Sequence, residues 1–226
     1  MNKILPVIVC CFAMSANAVN VGDITSIINA NEKTLAKEVE NTTNVARYIA
    51  LKIEKISNPT AEGVVIPLAN NEVLSTPAGL VLPGGGQDVF KIFYNGPEDD
   101  QERYYRLSWL DAPVLGAEEN TANKGALATT SALINTILVV TPRKDKFDYQ
   151  YANGTITNTG NASFRIVAAG TCLDKAKDID GKGCRERYYV MPGKSATLKF
   201  TDWNSPKTHL GVWYGGQYIN VNKNKK

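Results

Sequence analysis

The chain has 226 residues, with 25 Lys and Arg against 22 Asp and Glu and a formal net charge of +3. So small a charge, with no Lys/Arg stripe along a helix, excludes a nucleic-acid footprint. A hydrophobic content of 43% excludes a disordered chain, and the length suits two domains of ordinary size.

The first stretch is a basic start, Met1-Asn2-Lys3, an apolar run from Ile4 to Met14, and the small-residue pattern Ala16-Asn17-Ala18. This is the form of a secretory signal peptide, cleaved after Ala18. The apolar run is shorter than the roughly 20 residues that span a bilayer. Val9 before Cys10 argues against a lipoprotein site. Cleavage removes Lys3, Cys10 and Cys11. No later apolar run has the length of a transmembrane helix, so the sequence predicts an exported protein without a stable membrane anchor.

From Val19 to Pro142 the pattern is short and strand-like. Leu35–Glu40 leads to the turn Asn41-Thr42-Thr43-Asn44, and Arg47–Ile56 alternates apolar and polar as a half-buried strand does. Val64-Val65-Ile66 and Leu80-Val81-Leu82 are short apolar runs near prolines. After the Pro83–Gly86 turn, Val89–Tyr94 and then Tyr104–Leu110 read as strands. Residues 114–125 are polar and alanine-rich and read as a loop. Leu127–Val140 is a long β-prone stretch with almost no charge. It is either a fully buried central strand or an edge kept for a partner strand, since such an edge left bare is an aggregation hazard.

Thr141-Pro142-Arg143 marks a boundary: residues 19–141 form a first domain and 142–226 a second. Asp148–Tyr151, the Ala152-Asn153-Gly154 turn and Thr155–Asn158 predict a hairpin. Ser163–Ala169, Arg187–Met191, Ala196–Phe200, Gly211–Tyr214 and Tyr218–Val221 continue the β style, and no helical period is sustained. The fold class is therefore all-β, two antiparallel sandwiches. Cys172 and Cys184, the cysteines left in an exported chain, predict a disulfide closing a loop rich in Lys, Asp and Gly.

Signals for chemistry are weak. Gly193-Lys194-Ser195 has Tyr188 where a phosphate-binding loop needs glycine. Asp178-Ile179-Asp180-Gly181 lacks the later glutamate of a calcium loop. The single histidine, His209, limits both zinc sites and nucleophile–base pairs. The sequence predicts no enzyme activity, no metal and no cofactor. A secreted carbohydrate-binding or adhesin module is the competing reading, since three Trp and ten Tyr could line a sugar site.

Several segments resemble the periplasmic chaperones of fimbrial (pilus) assembly. They are Leu80-Val81-Leu82-Pro83-Gly84 followed by Val89–Ile92, Glu102–Leu107 through Pro113, and Thr136–Arg143. Arg103–Arg106, Thr136–Val140, Tyr151–Gly154, Thr157–Ala162 and Tyr189–Ser195 look nearest to the common-pilus chaperones of the alternate chaperone/usher branch. The resemblance spans the mature chain. It implies two immunoglobulin-like domains set in an L and a periplasmic location in a Gram-negative bacterium. It also implies that the chain caps pilus subunits (major pilin and tip adhesin) by donor-strand complementation and delivers them to an outer-membrane usher. The donor strand would be 127–140, with Ala128, Thr130, Ala132, Leu133, Ile134 and Ile137 as subunit-binding residues, favouring the face Ala128-Thr130-Ala132-Ile134. Better-known members anchor the subunit carboxylate with two basic residues, but those positions fall on Thr25 and about Ile137 here. Arg106 and Arg143 are the replacement candidates, because arginine grips a carboxylate bidentately. Lys91, Glu102 and Arg143 fall at or near the family's interdomain ion-pair positions.

Overall fold

A computed structural model describes residues 19–60, 62–114 and 130–221. The leader reading, residues 115–125 of the expected loop, the start of the expected donor strand and the expected site residue Ala128 lie outside the described residues.

Among the described residues sixteen short strands form four sheets, and no strand pairing crosses between the first nine of them and the last seven. One sheet of the first sandwich has the order β1 (Val19–Asn20), β3 (Thr34–Asn41), β7 (Gln87–Tyr94), β5 (Val73–Thr76). The facing sheet runs β2 (Thr25–Ile28), β9 (Ala132–Val140), β8 (Arg103–Pro113), β4 (Arg47–Ile56), β6 (Gly79–Leu82). Period-2 alternation sets the core between them. On β8, Tyr105, Leu107 and Trp109 are fully buried, whereas Leu110 on the opposite parity is exposed. Trp109 meets Phe90 of the facing sheet edge-on, ring centroids 5.2 Å apart. Each such large apolar side chain contributes roughly 1.5–3 kcal/mol on burial.

Two expectations shift. The 64–66 run makes only a bridge from Val65 to Ile56, and regular pairing of the uncharged strand begins at Ala132 rather than Leu127. The chain also changes sheets between β1 and β2, turning at Gly22 (φ 69°). Buried Lys37 ties down this crossover, its Nζ donating to the Asp23 carbonyl at 2.7 Å and to Ser26 Oγ at 3.2 Å. Burial holds the Lys37 ammonium below the usual lysine range, partly countered by the Asp23 charge.

The second sandwich pairs β10 (Tyr149–Ala152), β11 (Thr155–Asn158) and β14 (Ser195–Thr197) in one sheet. The other has the order β13 (Cys184–Val190), β12 (Phe164–Gly170), β15 (His209–Tyr214), β16 (Gln217–Asn220). The predicted hairpin at 153–154 is present. Asn153 and Gly154 both have positive φ (46° and 75°), the conformation that a two-residue type I′ turn requires.

Cys172 and Cys184 form the expected disulfide. It closes a loop containing a single 3-10 turn, Lys175–Lys177. A loop of this length predicts that Cys172→Ser/Cys184→Ser loses about 3 kcal/mol. Urea unfolding of the variant should therefore fall below that of the wild type, and adding a reductant should remove the difference.

Candidate functional site

The site begins with an uneven strand edge. β9 pairs with β8 along its whole length, Arg103↔Val140 to Asp111↔Ala132. On its other side β2 covers only Ile137–Val140, in parallel. The Ile137 N–H donates to the Ile24 carbonyl at 2.8 Å. Peptide groups alternate sides along a strand, so those of Leu133 and Asn135 point to that same side. No strand among the described residues covers them there.

The pleat also sorts the predicted donor residues. Thr136, Leu138 and Val140 face the core, and Trp109 Nε1 donates to Thr136 Oγ1 at 3.0 Å. Ile134 packs half-buried on the same core, and Ala132 shares its parity. Leu133 faces outward at 63% exposure, with Asn135 and Ile137 on the same face. Of the favoured face, Ala132 and Ile134 therefore turn into the protein's own sandwich. The reason is nonlocal: that parity meets the cluster around Phe90 and Trp109. Thr130 is exposed just ahead of β9.

Two residues missed from sequence hold this leading end. Arg47 Nη2 donates to the Thr130 carbonyl at 3.0 Å, and Arg47 Nε donates to Asp111 Oδ1 at 2.5 Å. Both side chains are nearly excluded from water, at 11% and 1% exposure. A signal existed: Asp111 continues the inward parity Tyr105-Leu107-Trp109, where a lone carboxylate demands a buried partner.

The two anchor candidates are already engaged. Arg106 lies on the outer sheet face opposite Ile137, and its Nη2 donates to the Gly63 carbonyl at 3.0 Å. Arg143 Nη1 donates to the carbonyls of Asn29, Ala30 and Glu32 at 2.6, 3.0 and 2.7 Å, and the guanidinium lies over the Tyr94 ring. Its Nη2 is buried. Arg143 thus pins the turn after β2.

The expected interdomain ion pairs take another form. Among the described residues Lys91 makes none; it sits outward on β7 between Ala36 and Thr76. Glu102 does bridge the sandwiches, but through hydrogen bonds. Its carboxylate accepts from the Ser163 N–H at 2.6 Å, Ser163 Oγ at 2.5 Å and Tyr104 OH at 2.6 Å. Burial pushes the Glu102 carboxyl above its ordinary value. Asn161 Nδ2 adds a second link, donating to the Asp100 carbonyl at 2.9 Å.

Between the sandwiches lies a cleft of about 540 Å³. Ile27, Asn29–Glu32 and Thr141 line one wall, and Arg165, Tyr189, Trp213 and Tyr214 line the other. Among the described residues no group of three or more His, Cys, Asp or Glu is placed to hold a metal. No helix among them is long and apolar enough to cross a membrane.

Curated relatives match the sequence over nearly its full length. The "Probable fimbrial chaperone EcpB" of Klebsiella pneumoniae (strain 342) is 47% identical over 207 residues, 91% of this chain and 92% of that protein. The chain belongs to the EcpB family of fimbrial chaperones. Its Escherichia coli O157:H7 (strain EC4115 / EHEC) relative is 45% identical over the same share. The family model of the EcpB C-terminal domain matches residues 147–221.

Solved structures share the fold. The class 5 fimbrial chaperone CfaA aligns with a TM-score of 0.53 at 17% identity, covering 92% of this chain and 96% of that one. The Salmonella enterica SafB chaperone, solved with the SafA pilin, aligns with a TM-score of 0.54 at 15% identity, covering 93% and 96%. This EcpB-family chain therefore has the two immunoglobulin-like domains of fimbrial chaperones, a non-enzymatic class.

Proposed function

We propose that this chaperone works in the periplasm, caps pilus subunits by lending them the outer half of β9, and passes them to an outer-membrane usher. The observation that carries this reading is the uncovered edge at Leu133 and Asn135. An extended segment of a subunit can add there, its backbone taking the free peptide groups while Leu133 enters its groove. The usher step rests on the family resemblance. Donation also accounts for the low charge of Ser131–Val140, because a charged strand could not fill an apolar groove.

The test is co-expression with each exported protein encoded beside the chain, scored by recovery of a one-to-one complex. Leu133→Asp should lose the subunit while its urea unfolding stays within about 0.5 kcal/mol of wild type, as for most exposed sites. Ile134→Ala should do the reverse, weakening the first sandwich by about 1–2 kcal/mol while still recovering subunit. Recovery that survives Leu133→Asp, or no stabilised partner at all, would sink the proposal.

A further inference from the structure

The second sandwich has a tip far from the β9 edge. β12 leaves the cleft at Arg165 and ends at Gly170, five residues and about 17 Å away at strand rise. The loop closed by Cys172 and Cys184 begins there. It carries Leu173 at 52% exposure and Ile179 at 89%, the most exposed large apolar side chain among the described residues. Phe200, also exposed, adjoins Leu173, whose N–H donates to the Phe200 carbonyl at 2.8 Å. Lys177 Nζ lies over the Phe200 ring, 4.5 Å from its centroid.

Basic residues flank these side chains along the chain. Lys175, Lys182, Arg185 and Lys199 are all exposed, and among the described residues none of them makes an ion pair or a side-chain hydrogen bond. The acids of the loop are spent on the loop itself or open to water. Asp174 Oδ1 accepts from the Ala176 N–H at 3.0 Å, and Asp178 Oδ1 from the Gly183 N–H at 2.9 Å. Asp180 is exposed.

We infer that this tip docks on an anionic lipid bilayer: Leu173, Ile179 and Phe200 enter the headgroup layer while Lys175, Lys182 and Arg185 meet its phosphates. The chaperone would rest on the membrane surface reversibly, without spanning it. This inference does not depend on the strand-addition reading.

Three observations support it. The first is the clustering. Exposed apolar side chains scattered singly need no explanation. Here three share one tip, and the most exposed stands on a loop held at its base by a disulfide and by the Asp178–Gly183 bond. Little order has to be gained on docking, which favours binding.

The second is the mixture of side chains. A phosphate or a soluble polyanion would use the cations and gain nothing from Ile179. A protein groove would use Ile179, but lysine is depleted at the centres of protein–protein interfaces. A bilayer surface uses both. Apolar side chains reach the boundary between headgroups and acyl chains, and lysine lays its methylene stem along that boundary while its ammonium stays with the phosphates.

The third is the balance of charge and position. Lys175, Lys177, Lys182 and Arg185 against Asp174, Asp178 and Asp180 leave a single excess positive charge on the loop. Neither charge nor apolar contact suffices alone, and the two together give a contact that can release. The distance from the cleft leaves the open half of β9 accessible while the tip is docked.

The test mixes the full mature chain with vesicles of phosphatidylglycerol and phosphatidylethanolamine, and separately with vesicles of phosphatidylcholine, and reads binding by co-sedimentation. Partitioning should be about tenfold stronger into the anionic vesicles and should fall as salt is raised. Nitroxide-labelled lipid should broaden the methyl NMR signals of Leu173 and Ile179 and spare those of Leu133. Ile179→Ser should lower partitioning about tenfold, the scale of one large apolar side chain left in water. Lys175→Gln/Lys182→Gln should lower it by a similar factor. Both variants should unfold in urea like wild type and recover subunit unchanged. Equal binding to both kinds of vesicle, or binding to neither, overturns the inference. So does anionic binding that Ile179→Ser leaves intact, since the cations alone would then be read, as by a soluble polyanion. If Ile179→Ser instead abolishes self-association or capture of a protein partner, with vesicle binding unchanged, the tip is a protein interface and the membrane reading falls.

Discussion

Asp111→Ala should destabilise the first sandwich by about 3–5 kcal/mol, the cost of stripping one partner from a buried ion pair. The Asp111 side chain is 1% exposed and that of Arg47 11%, so the orphaned guanidinium cannot recover its hydration without opening the sheet. The loss is read from urea unfolding. A second readout separates this effect from general damage. Arg47 also holds the Thr130 carbonyl, so hydrogen exchange should quicken first at residues 130–134, at the leading end of β9. The double variant Arg47→Met/Asp111→Leu should regain most of the stability, because well-packed apolar residues commonly replace a buried pair at little cost. It should not regain the slow exchange at 130–134, since nothing then holds the Thr130 carbonyl. If Asp111→Ala unfolds like wild type, the pair has no structural weight and its role in presenting β9 fails.

Glu186→Ala should cost the second sandwich about 3 kcal/mol or more, since each unsatisfied buried donor costs on the order of 1–3 kcal/mol. The Glu186 carboxylate is 4% exposed. It accepts from the N–H groups of Lys199, Phe200 and Thr201 at 2.7, 2.8 and 2.5 Å, and from Tyr188 OH at 2.5 Å. It thus closes the segment after β14 onto β13, beside the disulfide. Burial is the largest single influence on this carboxyl and acts to raise its pKa. The hydrogen bonds together outweigh burial and hold it below its ordinary value of 4.5. A carboxyl depressed by folding contributes its full stabilisation above that ordinary value and loses it as pH falls through the folded one. The gap in unfolding free energy between wild type and Glu186→Ala should therefore be widest near neutral pH and narrow below about pH 4.5. A gap that widens with acid would show that the carboxylate is not the stabilising form.

Much of the fold was legible in the residues. β4 and β8 alternate cleanly because each has one face on the core, and Asn153-Gly154 marked its hairpin because both positions need positive φ. The cysteine pair followed from Cys172 and Cys184 being the two that lie beyond the expected leader. The candidate site was legible only as a segment. Ile134 and Leu133 are almost equally apolar, so periodicity allowed either face of β9 to be the outward one. Arg106 and Arg143 were reasonable anchors by residue type and position. Yet Arg143 Nη1 donates to Asn29, Ala30 and Glu32, carbonyls whose proximity no local pattern announces.

Local sequence, through side-chain period, turn chemistry and cysteine count, determined the all-β class, most strands and the uncharged character of 131–140. The family likeness carried by its motifs pointed to the chaperone role. Only the tertiary structure decided two things: that β2 covers about half of β9 and no other described strand covers Leu133 and Asn135, and that Leu133 rather than Ile134 faces outward. Each depends on pairing between segments far apart in the chain, Thr25 with Ile137 and Trp109 with Ile134. Such register is set by how two sheets close over one core, and no window of neighbouring residues contains it.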